Sequence, residues 1–182
     1  MALQATAYRF HVQLSHVDRG VYQGLDVKMA RHPSETERYL LLRLLAYCFL
    51  FEEGLSFSKG GLSSPDEPPL SVHTLDGTLT TWVEIGQPSG ERLHKAAKAS
   101  PRVLLFTHAD ARLLREGYAK EKIHKRELLE VWRIEPAFLD AVAAHVGDRG
   151  ATLELTITEG QLFLGIGGET VTGALERVAL AT

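Results

Sequence analysis

Two groups of residues have the types and spacing to do chemistry: Asp66, Glu67 and Glu84, then Arg92, Lys95 and Lys98. They fall in one stretch, SSPDEPPLSVHTLDGTLTTWVEIGQPSGERLHKAAKA, over residues 63–99. SVHTL and TLTTWVEI are rich in β-branched and aromatic residues, and the Asp76-Gly77 pair between them signals a tight hairpin. Folding about that pair carries Asp66 and Glu67 to the same end as Glu84, with Asp76 alone at the other end. Gly86 and Pro88 then break the strand, and a helix over 89–99 brings Arg92, Lys95 and Lys98 after the acids. Carboxylates beside a lysine are what a magnesium-assisted phosphodiester hydrolase requires. Hard oxygen ligands hold Mg²⁺ or Mn²⁺, the metal lowers the pKa of an attacking water, and a cation steadies developing charge.

Each of these residues also has a plainer reading. An acid at a strand end is often only solvated, and an Asp before Pro68-Pro69 commonly caps a turn. Arg92 and Lys95 share a helix face three residues apart, as an ordinary polar face does. Glu35 and Glu37 stand at a helix N-terminus, where the dipole favours acids. That suffices for Glu37, whereas Glu35 is a candidate to point toward the acidic end of the sheet.

The elements that position these groups are read in chain order. Residues 6–15 and 24–30 alternate as two strands joined through HVDRGVY. Ser34 is a candidate N-cap, with Glu37 completing a capping box, for a helix over about 35–52 that is apolar nearly all round and therefore interior. LSFSKG reads as a short strand before the hairpin. VLLFTH, 103–108, reads as a strand buried on both faces of a mixed sheet. A helix over 109–119 should turn Leu113 and Leu114 inward. LLEVWRI, 128–134, is a strand, and Pro136 opens another helix. The tail holds two alternating strands around Glu159-Gly160, with Gly165–Gly168 as turn chemistry. The fold class is mixed α/β (α+β), a single domain with a central mixed sheet and flanking helices.

Composition narrows the function classes. The chain has 182 residues, 45% hydrophobic and 24% charged, with net charge −3 and one cysteine. These values suit a globular protein with a proper core. Lone Cys48 builds neither an internal disulfide nor a cysteine-ligated zinc site, and it reads as core within its leucine-rich helix. With no export signal in MALQATAYRF and no membrane-length apolar run, the expected location is cytoplasmic. The eight histidines lack zinc-hydrolase spacing, and no P-loop or full dinucleotide fingerprint is present. Between Arg92 and Arg126 stand ten Lys/Arg against three Asp/Glu. A basic segment after an acidic hairpin end suits approaching phosphates, as it also suits a solvated charged face.

HPSETERYLLLRLLAY, the D-E-P around Asp66 and LTTWVEIGQPSGERLHKA together resemble the YaeQ family over essentially the whole length. The resemblance implies a variant of the PD-(D/E)XK nuclease core, a mixed sheet flanked by helices with its acids on a central hairpin. The usual site has an Asp on one hairpin strand, Glu-x-Lys on the other, and often a Glu on the first helix. Asp66 after Pro65 matches the first position, Glu84 matches the Glu, and Glu35 is the candidate first-helix acid. Gly86 occupies the lysine position, which places the lysine on the next helix as Lys95, with Gln87 as a weaker polar substitute. The implied metal ligands are Glu35, Asp66, Glu67 and Glu84, around Mg²⁺ or Mn²⁺. Arg92, Lys95, Lys98 and Lys122 are the expected nucleic-acid contacts. The alternative is a nuclease-like module without catalysis, binding nucleic acid or a protein partner.

Overall fold

The alternation of TAYRFHVQLSH becomes strand β1, Thr6–His16, whose Phe10, Val12 and Leu14 are buried while Arg9, His11 and Gln13 face out. A computed structural model describes residues 4–59 and 66–180. The chain folds as two compact units, Met1–Phe49 with Ile134–Leu175, and Leu50–Arg133 with Glu176–Thr182. Pro65 lies outside the described residues, so the Pro-Asp dipeptide is seen only from Asp66 onward.

In the first unit β1 runs antiparallel to β2, Val21–Arg31, through a 3-10 turn at Val17–Arg19. It also runs parallel to β8, Gly150–Thr158. Antiparallel pairs then join β8 to β9, Gln161–Ile166, and β9 to β10, Glu169–Val178, so the strand order is β2-β1-β8-β9-β10. The tail thus holds three strands, not two. The additional strand is β10, entered through a turn at Gly167 and Gly168, both at positive φ; Gly165 and Ile166 belong to β9. Helix α4, Pro136–Ala143, has Pro136 in its first turn and buries Phe138, Leu139 and Val142.

Helix α1, Glu37–Leu50, buries nearly every residue from Leu40 to Leu50, Cys48 among them, as its apolar circumference demands. Its cap is Thr36, not Ser34: the Thr36 Oγ1 accepts from the Tyr39 amide at 3.1 Å. Ser34 is instead drawn into a local turn against His32 Nδ1, 2.6 Å away.

The second unit begins with β3, Leu55–Phe57, β4, Leu70–His73, and β5, Leu79–Ile85. β6, Arg102–Thr107, and β7, Glu130–Ile134, complete the order β7-β6-β5-β4-β3. β5, β6 and β7 are mutually parallel, and helices α2, Gly90–Ala99, and α3, Ala111–Ala119, make the two crossovers. α2 presents Leu93 and Ala96, and α3 presents Leu114 and Tyr118, to a core with Trp82, Val103, Leu105 and Val131. Leu113 is 53% exposed, contrary to expectation. Leu114 and Tyr118, four apart, form the buried stripe of α3, and Leu113 lies to one side of it. β6 is buried at every position after Arg102.

Candidate functional site at the end of the β4–β5 hairpin

The hairpin register follows from the Asp76-Gly77 turn. Leu70 faces Val83, Ser71 faces Trp82 and Val72 faces Thr81, the partners obtained by folding about that pair. Near the turn the ladder slips by one residue between Val72 and His73. The connection is therefore a five-residue loop, 74–78, closed by the Thr74 amide on the Thr78 carbonyl at 2.9 Å, not a two-residue turn. The far end keeps its register, so Asp66 and Glu67 enter β4 where Glu84 leaves β5.

Alternate residues of a strand share a face, so Glu84 lies on the Trp82 side of β5, the side that α2 covers. Glu84 is 2% exposed. The Trp82 Nε1 and the Arg92 Nε both donate to its Oε1, each at 2.7 Å. Arg92 also donates through Nη2 to the Glu67 carbonyl oxygen at 2.9 Å, tying the loop before β4 to α2. Ser89 caps α2 by accepting from the Arg92 amide, which fixes where the guanidinium emerges. One turn on, the Lys95 ammonium donates to the Asp66 carboxylate, and both side chains are exposed. The Ser58 hydroxyl donates to the Glu67 carboxylate at 2.8 Å.

The electrostatics differ between the two ion pairs. Burial pushes the Glu84 carboxyl above its ordinary value, against the pull of the Trp82 indole and the Arg92 guanidinium. Lys95 holds the Asp66 carboxyl below its ordinary value by hydrogen bonding and charge. Tyr118 donates to the Pro88 carbonyl at 2.6 Å, and burial together with the nearby Glu84 charge pushes its phenol up to about 12.

The structure thus brings Asp66, Glu67, Glu84, Arg92 and Lys95 together. Gln87 is exposed in the loop after β5, Lys98 lies exposed in the last turn of α2, and Lys122 is exposed beyond α3. Glu35 belongs to the first unit, is 4% exposed and accepts from the Arg43 Nε at 2.9 Å. Among the described residues no three His, Cys, Asp or Glu side chains gather as a metal-binding group. Gly86, at the lysine position of the motif, has φ +85° and donates its amide to the Phe106 carbonyl at 2.8 Å. That backbone conformation favours glycine over any side chain. Sequence reasoning missed Trp82 and Tyr118 as partners of the site. The i, i+2 spacing of Trp82 to Glu84 was the available signal for the first, and Tyr118 had none. Among the described residues no helix is long and apolar enough to cross a membrane.

The sequence and fold are matched by relatives along nearly the whole chain. The family model described as YaeQ protein matches residues 1–175. Proteins named Uncharacterized protein YaeQ in Escherichia coli (strain K12) and Shigella flexneri are each 34% identical over 165 residues, covering 90% of this chain and 90% of theirs. The crystal structure of YaeQ protein from Pseudomonas syringae superposes with a TM-score of 0.83 at 30% identity, covering 95% of both chains. That of YaeQ protein from Xanthomonas axonopodis pv. citri gives 0.82 at 28% identity, covering 95% of this chain and 97% of the other. The chain belongs to the YaeQ family.

Proposed function

We propose that the end of the β4–β5 hairpin is the site of a metal-dependent phosphodiesterase acting on nucleic acid, on a variant of the PD-(D/E)XK core. The observation that carries this reading is convergence. Lys95 on α2 pairs with Asp66 from the loop before β4, and Arg92, one turn earlier on the same helix, pairs with Glu84 from β5, so two acids from one end of the hairpin are each matched by a cation from one helix. Gly86 is held in a conformation that suits glycine, so the charge arrives from the helix one loop later.

The donor set fits a hard divalent cation in kind. Mg²⁺ is commonly held by one or two carboxylates and keeps several waters. Asp66 and Glu84 would hold it, with Glu67 at the rim. When bound, such a metal lowers the pKa of its water and stabilises charge on the phosphate. The chain's own groups do the rest. Arg92 and Trp82 fix the Glu84 carboxylate in one orientation. The exposed Lys95 ammonium is placed to exchange Asp66 for a phosphate oxygen, where a preformed cation stabilises the charge that develops in displacement. Gln87, exposed beside Gly86, offers an amide to the same oxygens.

A second reading is a nuclease-like module that binds nucleic acid or a protein partner without catalysis. It is favoured by the two ion pairs, in which Arg92 matches Glu84 and Lys95 matches Asp66. Nicking of supercoiled plasmid by the wild type and Glu84→Gln, purified in parallel, separates the two. Hydrolysis predicts cleavage by the wild type with Mn²⁺ or Mg²⁺, none in EDTA and none by the variant. Nucleic-acid binding that survives EDTA without cleavage establishes the second reading.

A further inference from the structure

A second cleft lies on α2 beyond Lys95. It holds about 250 Å³ between the C-terminal turn of α2 and the segment before β7. Val103 and Leu129 lie buried beneath it and Leu128 stands at the lip, 58% exposed, while most of the accessible lining is polar. Its rim carries two cations, Lys98 from α2 and Lys125 from the facing segment, with the His124 imidazole beside them. Among the described residues no carboxylate lines it.

The walls are pinned. The His124 amide donates to His94 Nδ1 at 3.2 Å, joining the facing segment to α2. Arg126 donates to the Tyr118 carbonyl at 2.6 Å, joining it to α3. Lys125 itself sits at φ 47°, ψ 45°, an uncommon conformation for a residue with a side chain. A larger depression along Ser89, Glu91, Arg92, His94 and Lys95 adjoins the cleft, sharing Lys98 and Ala99 with it, and Glu91 is its one carboxylate among the described residues. The depression beside Arg92 and Lys95 and the small cleft thus meet at Lys98, and the cleft sets the exposed Leu128 side chain beside two cations.

We infer that this cleft receives one unpaired nucleotide of a bound strand, so that single-stranded nucleic acid is the preferred ligand of the second unit. The inference rests on the nucleic-acid part of the reading above and not on hydrolysis. An unstacked base offers a flat apolar face to Leu128, over the edges of Val103 and Leu129, and its phosphate offers charge to Lys98 and Lys125. At about 250 Å³ the cleft is smaller than the roughly 300–1,000 Å³ of pockets for drug-sized molecules, so it has room for one base, with the sugar and phosphate left at the rim. A base held in a duplex is stacked on both faces and cannot enter.

The test is fluorescence anisotropy in EDTA with a labelled oligothymidine strand, alone or annealed to its complement, against a series of salt concentrations. Wild type is compared with Lys125→Gly and Leu128→Asp, with 5′-AMP as competitor. Lys125→Gly suits the left-handed backbone and Leu128 is exposed, so both variants should fold, which circular dichroism checks. The single strand should bind more tightly than the duplex. Leu128→Asp should weaken single-strand binding by about tenfold, since it removes the exposed apolar contact and sets a carboxylate beside the phosphate. Lys125→Gly should lower the salt slope by about 0.7, one phosphate on a single strand. Competition by 5′-AMP supports entry of a nucleotide unit. Duplex bound as well as single strand, unchanged single-strand binding in both variants, or 5′-AMP bound while the strand is not, each overturns the inference. Single-strand preference without cleavage refutes hydrolysis and leaves this inference standing. Cleavage of duplex with no effect of either variant does the reverse.

Discussion

Arg92→Ala removes the guanidinium from Glu84 and leaves a carboxylate buried with the Trp82 indole as its remaining donor of the pair. The side chains are 3% exposed for Glu84 and 25% for Arg92. Breaking a buried pair by deleting one partner costs about 3–5 kcal/mol, and the partial exposure of Arg92 places this pair near the low end, about 3. In a chain of this size each kcal/mol moves Tm by about 2–4 °C, so the variant should melt about 6–12 °C lower at neutral pH. The loss should depend on pH with a definite sign. The folded pKa of Glu84 lies above its ordinary 4.5. Its contribution to stability, relative to a neutral side chain, is therefore fully present below that value and lost as pH rises through the folded pKa. Without Arg92 the folded value rises further, so the gap between variant and wild type should narrow on acidification. Glu84→Gln keeps an acceptor for both donors and should be at least as stable as wild type at neutral pH, with the wild type gaining relative to it as pH falls. Scanning fluorimetry of the three proteins across the acidic range measures this. An unchanged Tm in Arg92→Ala, or a loss that does not shrink on acidification, refutes the claim that the pair is buried and mutually dependent.

Asp66→Asn and Lys95→Ala alter an exposed pair and should leave Tm unchanged while cleavage falls, measured by melting and nicking assays side by side. Arg43→Ala strands the buried Glu35 carboxylate and should cost about 3–5 kcal/mol in denaturant unfolding, whereas Glu35→Gln should retain cleavage, since Glu35 is engaged within the first unit. Gly86→Lys rebuilds the usual motif on paper but forces a side chain to φ +85°, costing at least about 1 kcal/mol without raising the cleavage rate. Cys48, fully buried with its thiol pushed up to about 12, should not react with a thiol reagent in the native protein and should react on unfolding.

The hairpin was legible because alternation and one Asp-Gly pair fix which residues face each other. Leu70 opposite Val83 then sets the neighbourhood of Asp66 and Glu84. The ion pairing at that end was not legible. Strand periodicity tells which face Glu84 occupies but not which helix residue covers it, and Arg92 read equally well as a free surface cation. Leu113 and Leu114 are adjacent, and a helix turns only one of two neighbours fully inward; Tyr118, four beyond Leu114, decided which. Ser34 fits a capping pattern as well as Thr36, and the bond from Ser34 to His32 settled the choice. β10 escaped notice because ETVTGALERV alternates weakly, with one face exposed and polar and Gly173 in its middle. The cleft beside Lys98 gathers His124 and Lys125 from a segment about 30 residues away from α2, a juxtaposition that no local spacing encodes.

The most direct measurement is a time course of Mn²⁺-dependent cleavage of end-labelled nucleic acid by wild type, Asp66→Asn and Glu84→Gln, with melting curves recorded on the same preparations. Metal-dependent cleavage by wild type alone, with all three proteins folded, is the predicted result. No cleavage by wild type, or equal cleavage by all three, contradicts hydrolysis at the hairpin end.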